Sequence, residues 1–103
     1  MSKVITPTVG RKVWYWPSVG DMAGPIPMIK IPGQPLDATV IAVHGDRMVN
    51  VLVTDVMGRQ FPVPSCDLLQ PGDEPRTTES GQIIGRFVEW IPYQKTQAAK
   101  ESA

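Results

Sequence analysis

Proline and glycine set the limits on what this chain can become. Its 103 residues include 11 prolines and 9 glycines, and a helix interior tolerates neither. Both residues instead close turns and end strands. Their spacing predicts short extended segments, so the fold class expected is all-β. A chain of this length has room for one domain.

Five segments carry the strand pattern. Gly10–Trp16 alternates Val13 and Tyr15 on one face with Lys12, Trp14 and Trp16 on the other, and Pro17 ends it. Residues 17–35 are rich in proline and glycine and read as a long structured loop, with an extended piece at Met28–Ile31. Ala38–Val43 and Met48–Thr54 flank His44-Gly45-Asp46-Arg47, which predicts a hairpin with Val49, Val51 and Val53 on one face. Asp55-Val56-Met57-Gly58 makes a further turn. Arg59–Pro64 then reads as an edge strand, because Pro62 and Pro64 point the same way and neither can donate a hydrogen bond.

Phe61 and Val63 are expected to face inward, and Ser65–Leu69 is expected to form one helical turn capped by Ser65. Residues 70–81 are polar and read as a mobile loop. Gly85–Ile91 is the last strand, stopped by Pro92. Met48 and Met57 read as gap fillers.

This order describes a small SH3/Tudor-like barrel of about five strands: a long Pro/Gly-rich loop after the first strand, one short helical turn and a polar tail. The divisions expected are an N-terminal extension at 1–8, the barrel at 9–93 and the tail at 94–103. An open OB-like barrel is the alternative; it calls for a helix between its third and fourth strands, and no segment there reads as one.

Lys plus Arg and Asp plus Glu number 10 each, which argues against wholesale electrostatic capture by nucleic acid or anionic membrane. One cysteine, Cys66, excludes an intrachain disulfide and a multi-cysteine metal site. No apolar run reaches the roughly 20 residues of a membrane span, and the N-terminus shows no signal-peptide core. A cytoplasmic setting is expected. The one histidine, His44, sits at the hairpin tip, far in sequence from Cys66. No nucleophile elbow or Walker motif is present, and Gly81–Gly85 is too short to cradle phosphate. The chain reads as no enzyme, with no cofactor and no metal.

Aromatics are the more informative cluster. Trp14, Tyr15, Trp16, Trp90 and Tyr93 lie only in the first and last strands and just beyond, which neighbour each other in such a barrel. Trp14, Trp16, Trp90 and Tyr93 are therefore the candidate partner-binding residues; the other account is that the tryptophans cover the barrel seam against the Pro-rich loop. Lys12 and Arg86, beside Trp14 and Trp16, are the candidate nucleic-acid contacts. Arg11, Arg47 and Arg59 are interleaved with acids and read as solvated surface.

Three segments carry a resemblance: Val9–Tyr15, Pro35–Ala38 continuing through Val43–Val51, and Glu89–Lys95. They resemble a family of small proteins encoded by tailed bacteriophages and prophages. The resemblance implies a phage protein made in a bacterial host cytoplasm, with incorporation into the virion as a further expectation. It implies no catalytic or ligand residue. The function expected is a non-catalytic interaction module that binds a phage or host protein or itself. A nucleic-acid-binding domain and a nucleotide-binding accessory protein are the alternatives.

Overall fold

The computed structural model describes residues 4–83 and 85–102; residues 1–3, Ile84 and Ala103, which include the outer ends of the N-terminal extension and the tail, lie outside the described residues. The elements run β1 (Lys12–Trp16), β2 (Leu36–Gly45), β3 (Met48–Thr54), β4 (Gln60–Leu69), β5 (Phe87–Trp90) and α1 (Pro92–Ser102). The strands close into a barrel in the order β1-β2-β3-β4-β5. This is the small all-β barrel of the sequence reading, and its sequential strand order departs from a Greek-key OB arrangement. No helix among the described residues is long and apolar enough to cross a membrane.

Closure with five strands imposes a topological cost. Around an odd ring, strand directions cannot alternate everywhere, so at least one pair must run parallel. Here that pair is β4 with β5, through Asp67↔Phe87, Leu68↔Val88 and Leu69↔Glu89, while β1 pairs antiparallel with both β2 and β5. Parallel neighbours need a crossover of a dozen or more residues. The polar stretch from Gln70 to Arg86 is that crossover.

Alternation decides what fills the barrel. Val13 and Tyr15 of β1, Leu36, Ala38 and Val40 of β2, and Val49, Val51 and Val53 of β3 are all buried. Each set lies two residues apart on one face of a pleated strand. Past Val40 the β2–β3 register shifts, and Ile41 and Val43 of β2 are exposed while Val49, paired with Val43, stays in the core.

Ser65–Leu69 is not a helical turn. It is the second half of β4, and the disruption lies at Ser65, whose φ of 49° is left-handed. The β3–β4 register shifts there, between Val49↔Cys66 and Val51↔Val63. The Asn50 side chain accepts the Ser65 N–H at 2.8 Å. This bulge re-aims the strand, so that Cys66 and Leu68 join Val63 in the core. Pro62 and Pro64 are exposed and lie where β4 has no partner on its outer side, since β5 pairs only with its last three residues.

The chain's single described helix is in the tail. Its Ala98 is buried, and Gln94 Nε2 on its first turn donates to the Lys12 carbonyl of β1 at 3.3 Å.

Candidate binding surfaces

The outer face of β1 carries Lys12, Trp14 and Trp16, as alternation requires. Trp14 lies opposite Asp37 of β2 and Glu89 of β5. Lys12 Nζ pairs with Asp37 Oδ2 at 3.1 Å, and Lys95 Nζ with Glu89 Oε1 at 3.2 Å. Trp16 donates its Nε1–H to Glu89 Oε2 at 2.6 Å, while Lys30 Nζ stands 5.7 Å over its ring. Trp16 thus covers the seam against the Pro-rich loop, half-buried; Trp14 stays exposed.

The remaining aromatics do not join them. Trp90 is fully buried and donates Nε1–H to Gln70 Oε1 at 3.2 Å. It belongs to the core and cannot meet a partner. Tyr93 is exposed on the first turn of α1, where it lines a cleft with Ile5 and Arg11. Lys12 and Arg86 sit at opposite ends of β1, because the Arg86 N–H bonds the Trp16 carbonyl at 3.0 Å. With Lys12 already paired, the two form no continuous cationic track.

The 17–35 loop is held at both ends. On the near side the buried Tyr15 hydroxyl donates to Asp21 Oδ2, which also accepts the Ser18 N–H at 3.0 Å. Asp21 N–H in turn donates to Ser18 Oγ at 3.1 Å. Burial, with the Asp21 carboxylate beside it, pushes the Tyr15 phenol far above its ordinary pKa, so it remains a donor. Met28 plugs the core from the middle of the loop.

Asp55 holds the far side. Its side chain is wholly buried. Oδ1 accepts the N–H groups of Met57 and Arg59, both at 3.0 Å, and Oδ2 accepts Ile29 N–H and an Arg59 guanidinium N–H, both at 3.2 Å. The same guanidinium donates to the Pro27 carbonyl at 2.7 Å and lies 5.8 Å from the Phe61 ring centre. Val56 N–H completes the join at the Ile29 carbonyl, 3.0 Å. Sequence reading identified the Asp55–Gly58 turn but not this carboxylate; an Asp opening a turn that ends in Gly is the available signal.

A rigid loop with apolar side chains in water results. Ile26 is 66% exposed and Met57 68% exposed, with Ile29, Ile31 and Val56 also exposed around them. Met57 therefore fills no gap.

Gln70 opens the polar stretch expected to be a mobile loop, yet it is buried. Its Oε1 accepts Ile5 N–H at 2.8 Å besides the Trp90 indole. Its Nε2 donates to the carbonyls of Ile5 at 2.9 Å and Asp46 at 2.6 Å. One amide fastens the N-terminal arm, the hairpin tip and the core tryptophan.

His44 and Cys66 have separate hydrogen-bond partners. His44 Nε2 meets Asn50 Oδ1 at 2.9 Å, on the surface. Cys66 is buried, and burial pushes its thiol up to about 12, a rise that the nearby Arg86 charge partly offsets. The thiolate is the reactive form. Iodoacetamide at pH 8 is therefore expected to label the native protein at least about 100-fold more slowly than the urea-unfolded chain. Mass spectrometry over time checks this; comparable rates would mean the thiol is reached without unfolding. No group of three or more His, Cys, Asp or Glu able to hold a metal is present among the described residues.

Comparison with known proteins returned no matching family model, no matching curated protein and no matching solved structure.

Proposed function

We propose that this chain is a non-catalytic protein-interaction module whose contact surface is the apolar end formed by the 17–35 loop and the β3–β4 turn. One observation carries the reading. The loop is fixed by Asp21 on one side and Asp55 with Arg59 on the other, yet it presents Ile26, Ile29 and Ile31 to water beside Val56 and Met57. Ordering a loop costs conformational entropy. Holding it in advance lowers the cost of binding, and clustered exposed apolar side chains supply the burial that association needs. Trp14, exposed on the neighbouring outer face, extends the apolar surface available to a partner.

The resemblance of three segments to tailed-phage proteins supports a setting in a bacterial host cytoplasm, either free or on the way into a virion. A phage or host protein, or a second copy, is the partner of this reading.

Substituting Ile26→Asp and Met57→Asp together tests it. Both positions are exposed, so the melting temperature is expected to stay within a few degrees. Association should weaken by about 100-fold, the effect of losing two apolar anchors. Sedimentation over a concentration series, and recovery of a stoichiometric partner from phage-infected cells, read the result. A wild-type protein that stays monomeric and retains no stoichiometric partner, or a double variant that associates like wild type, overturns the proposal.

A further inference from the structure

Among the described residues, only two non-glycine residues hold a left-handed backbone: Ser65, with φ of 49°, and Arg86, with φ of 77°. Both line the same cleft. It lies outside the barrel at the β4–β5 seam, has a volume of about 310 Å³, and is also lined by Met48, Asp67, Arg76 and Phe87. Such backbone strain is uncommon in non-glycine residues and gathers at ligand sites.

The two outliers have different explanations. Ser65 is accounted for by the fold, since its bulge turns Cys66 and Leu68 inward. Arg86 has no such account. Its guanidinium makes no hydrogen bond or ion pair among the described residues. Glycine would suit the backbone conformation better, so the side chain stands against local preference, and its charge reaches the fold only at longer range, toward the buried Tyr15 and Cys66.

Its base is nonetheless fixed. A Cβ at Gly85 would lie 2.6 Å from Ser18 Cα and 2.9 Å from the Pro17 carbonyl oxygen, so the chain before Arg86 is pressed onto the 17–18 backbone. Arg86 N–H then bonds the Trp16 carbonyl. Within the cleft, Arg76 is engaged by Asp67 through Nε at 2.9 Å and a terminal nitrogen at 3.2 Å. That pair is balanced, and Arg86 beside it makes no direct ion pair among the described residues. Phe87 and Met48 add apolar wall.

We propose that this cleft binds a small ligand bearing one oxyanion, a carboxylate or a phosphate, on an apolar body, with Arg86 as the anion-binding residue. A planar guanidinium matches both oxyanions in two-point geometry. The volume lies at the lower end of small-molecule sites. The site is separate from the apolar loop end and stands or falls independently of it.

Titration of the full chain with benzoate, phenyl phosphate and inorganic phosphate at low salt tests the assignment, followed by the side-chain Nε–Hε NMR signal of Arg86. A saturable shift with benzoate or phenyl phosphate is expected, at least tenfold tighter than with inorganic phosphate; the tighter of the two identifies the anion class. Arg86→Gly should weaken binding at least tenfold while raising the melting temperature by a few degrees, because it removes the backbone strain. Arg86→Gln, which keeps a side chain of similar length, should lose binding with the fold intact by circular dichroism. No saturable shift with either aromatic anion overturns the proposal, as does undiminished binding by Arg86→Gln. A lowered melting temperature in Arg86→Gly assigns the arginine to the fold and overturns it as well.

Discussion

Replacing Gln70 with alanine is expected to cost about 3–5 kcal/mol, a large part of the stability of a domain this small. The substitution removes the partner of the Trp90 indole N–H, the Ile5 N–H and the carbonyls of Ile5 and Asp46. A buried polar group left unpaired costs about 1–3 kcal/mol, and some of these four will find water near the surface. A fall in melting temperature of roughly 15 °C or more follows for a chain of this size.

Gln70→Glu separates hydrogen bonding from packing. The shape is kept, but an oxygen replaces Nε2 and faces two carbonyl oxygens. Only a protonated carboxyl can donate there, so its folded-state pKa is raised above the unfolded value near 4.3. Stability is then fully present below that value and is lost as pH rises through the folded pKa. The variant should fall well below wild type at pH 7 and recover part of the deficit near pH 4, because a single O–H replaces only one of the two N–H donors. Thermal melts at the two pH values decide; equal deficits at both would show that the amide's donors are not what the site requires.

Gln70 also shows where sequence reading stops. The barrel was legible because its signals are local: Val49, Val51 and Val53 alternate within one strand, and Val13 and Tyr15 do so in another. Gln70 opens Gln-Pro-Gly-Asp, which has the composition of an exposed loop. Its burial depends on Ile5, Asp46 and Trp90, groups as far as 65 residues away in sequence, and no local pattern encodes them. Ser65 failed for the same reason. A serine before Cys-Asp-Leu-Leu has the form of a helix cap, but Asn50 takes its N–H from the neighbouring strand and makes a bulge instead.

Trp90 differs, because its signal was present. Alternation in Phe87–Trp90 sets Val88 and Trp90 opposite Glu89, and the structure buries both. Counting aromatics by segment, without following their faces, put Trp90 on the surface. Alternation within the first strand did set Trp14 and Trp16 on the outer face of β1, where cross-strand Asp37 and Glu89 then decide how much charge surrounds them. Exposure of Ile26 and Ile29 had no local signal, since an isolated apolar residue in a Pro-rich loop reads equally well as a plug. Met28 is such a plug, between neighbours that are not.

Asp55→Asn is expected to lower the melting temperature by on the order of 10 °C and to do so mainly through the loop. An amide has one acceptor where the carboxylate has two, and its NH2 must face either the Met57 and Arg59 N–H groups or the Ile29 N–H and the Arg59 guanidinium. Two donors then confront each other in a buried place. Hydrogen exchange should report it first at the Ile29 and Val56 amides, ahead of the β2–β3 core amides.

The acid limb of stability gives an independent check. Burial alone would raise the Asp55 pKa, but the N–H groups of Arg59, Ile29 and Met57 together with the Arg59 side chain outweigh it and hold the carboxyl below its usual range. A lowered carboxyl contributes stability above the unfolded value near 3.9 and loses it as pH falls through the folded value. Wild type should therefore lose stability steeply below about pH 4. Asp55→Asn should follow a shallower slope but not a flat one, because Asp73, lowered by its hydrogen bond from Arg47, still titrates. If the loop is a contact surface because it is fixed in advance, this variant must also weaken association while the barrel remains folded. A variant with a loosened loop and undiminished binding would mean that the partner orders the loop for itself, and that the buried Asp55–Arg59 anchor serves stability alone.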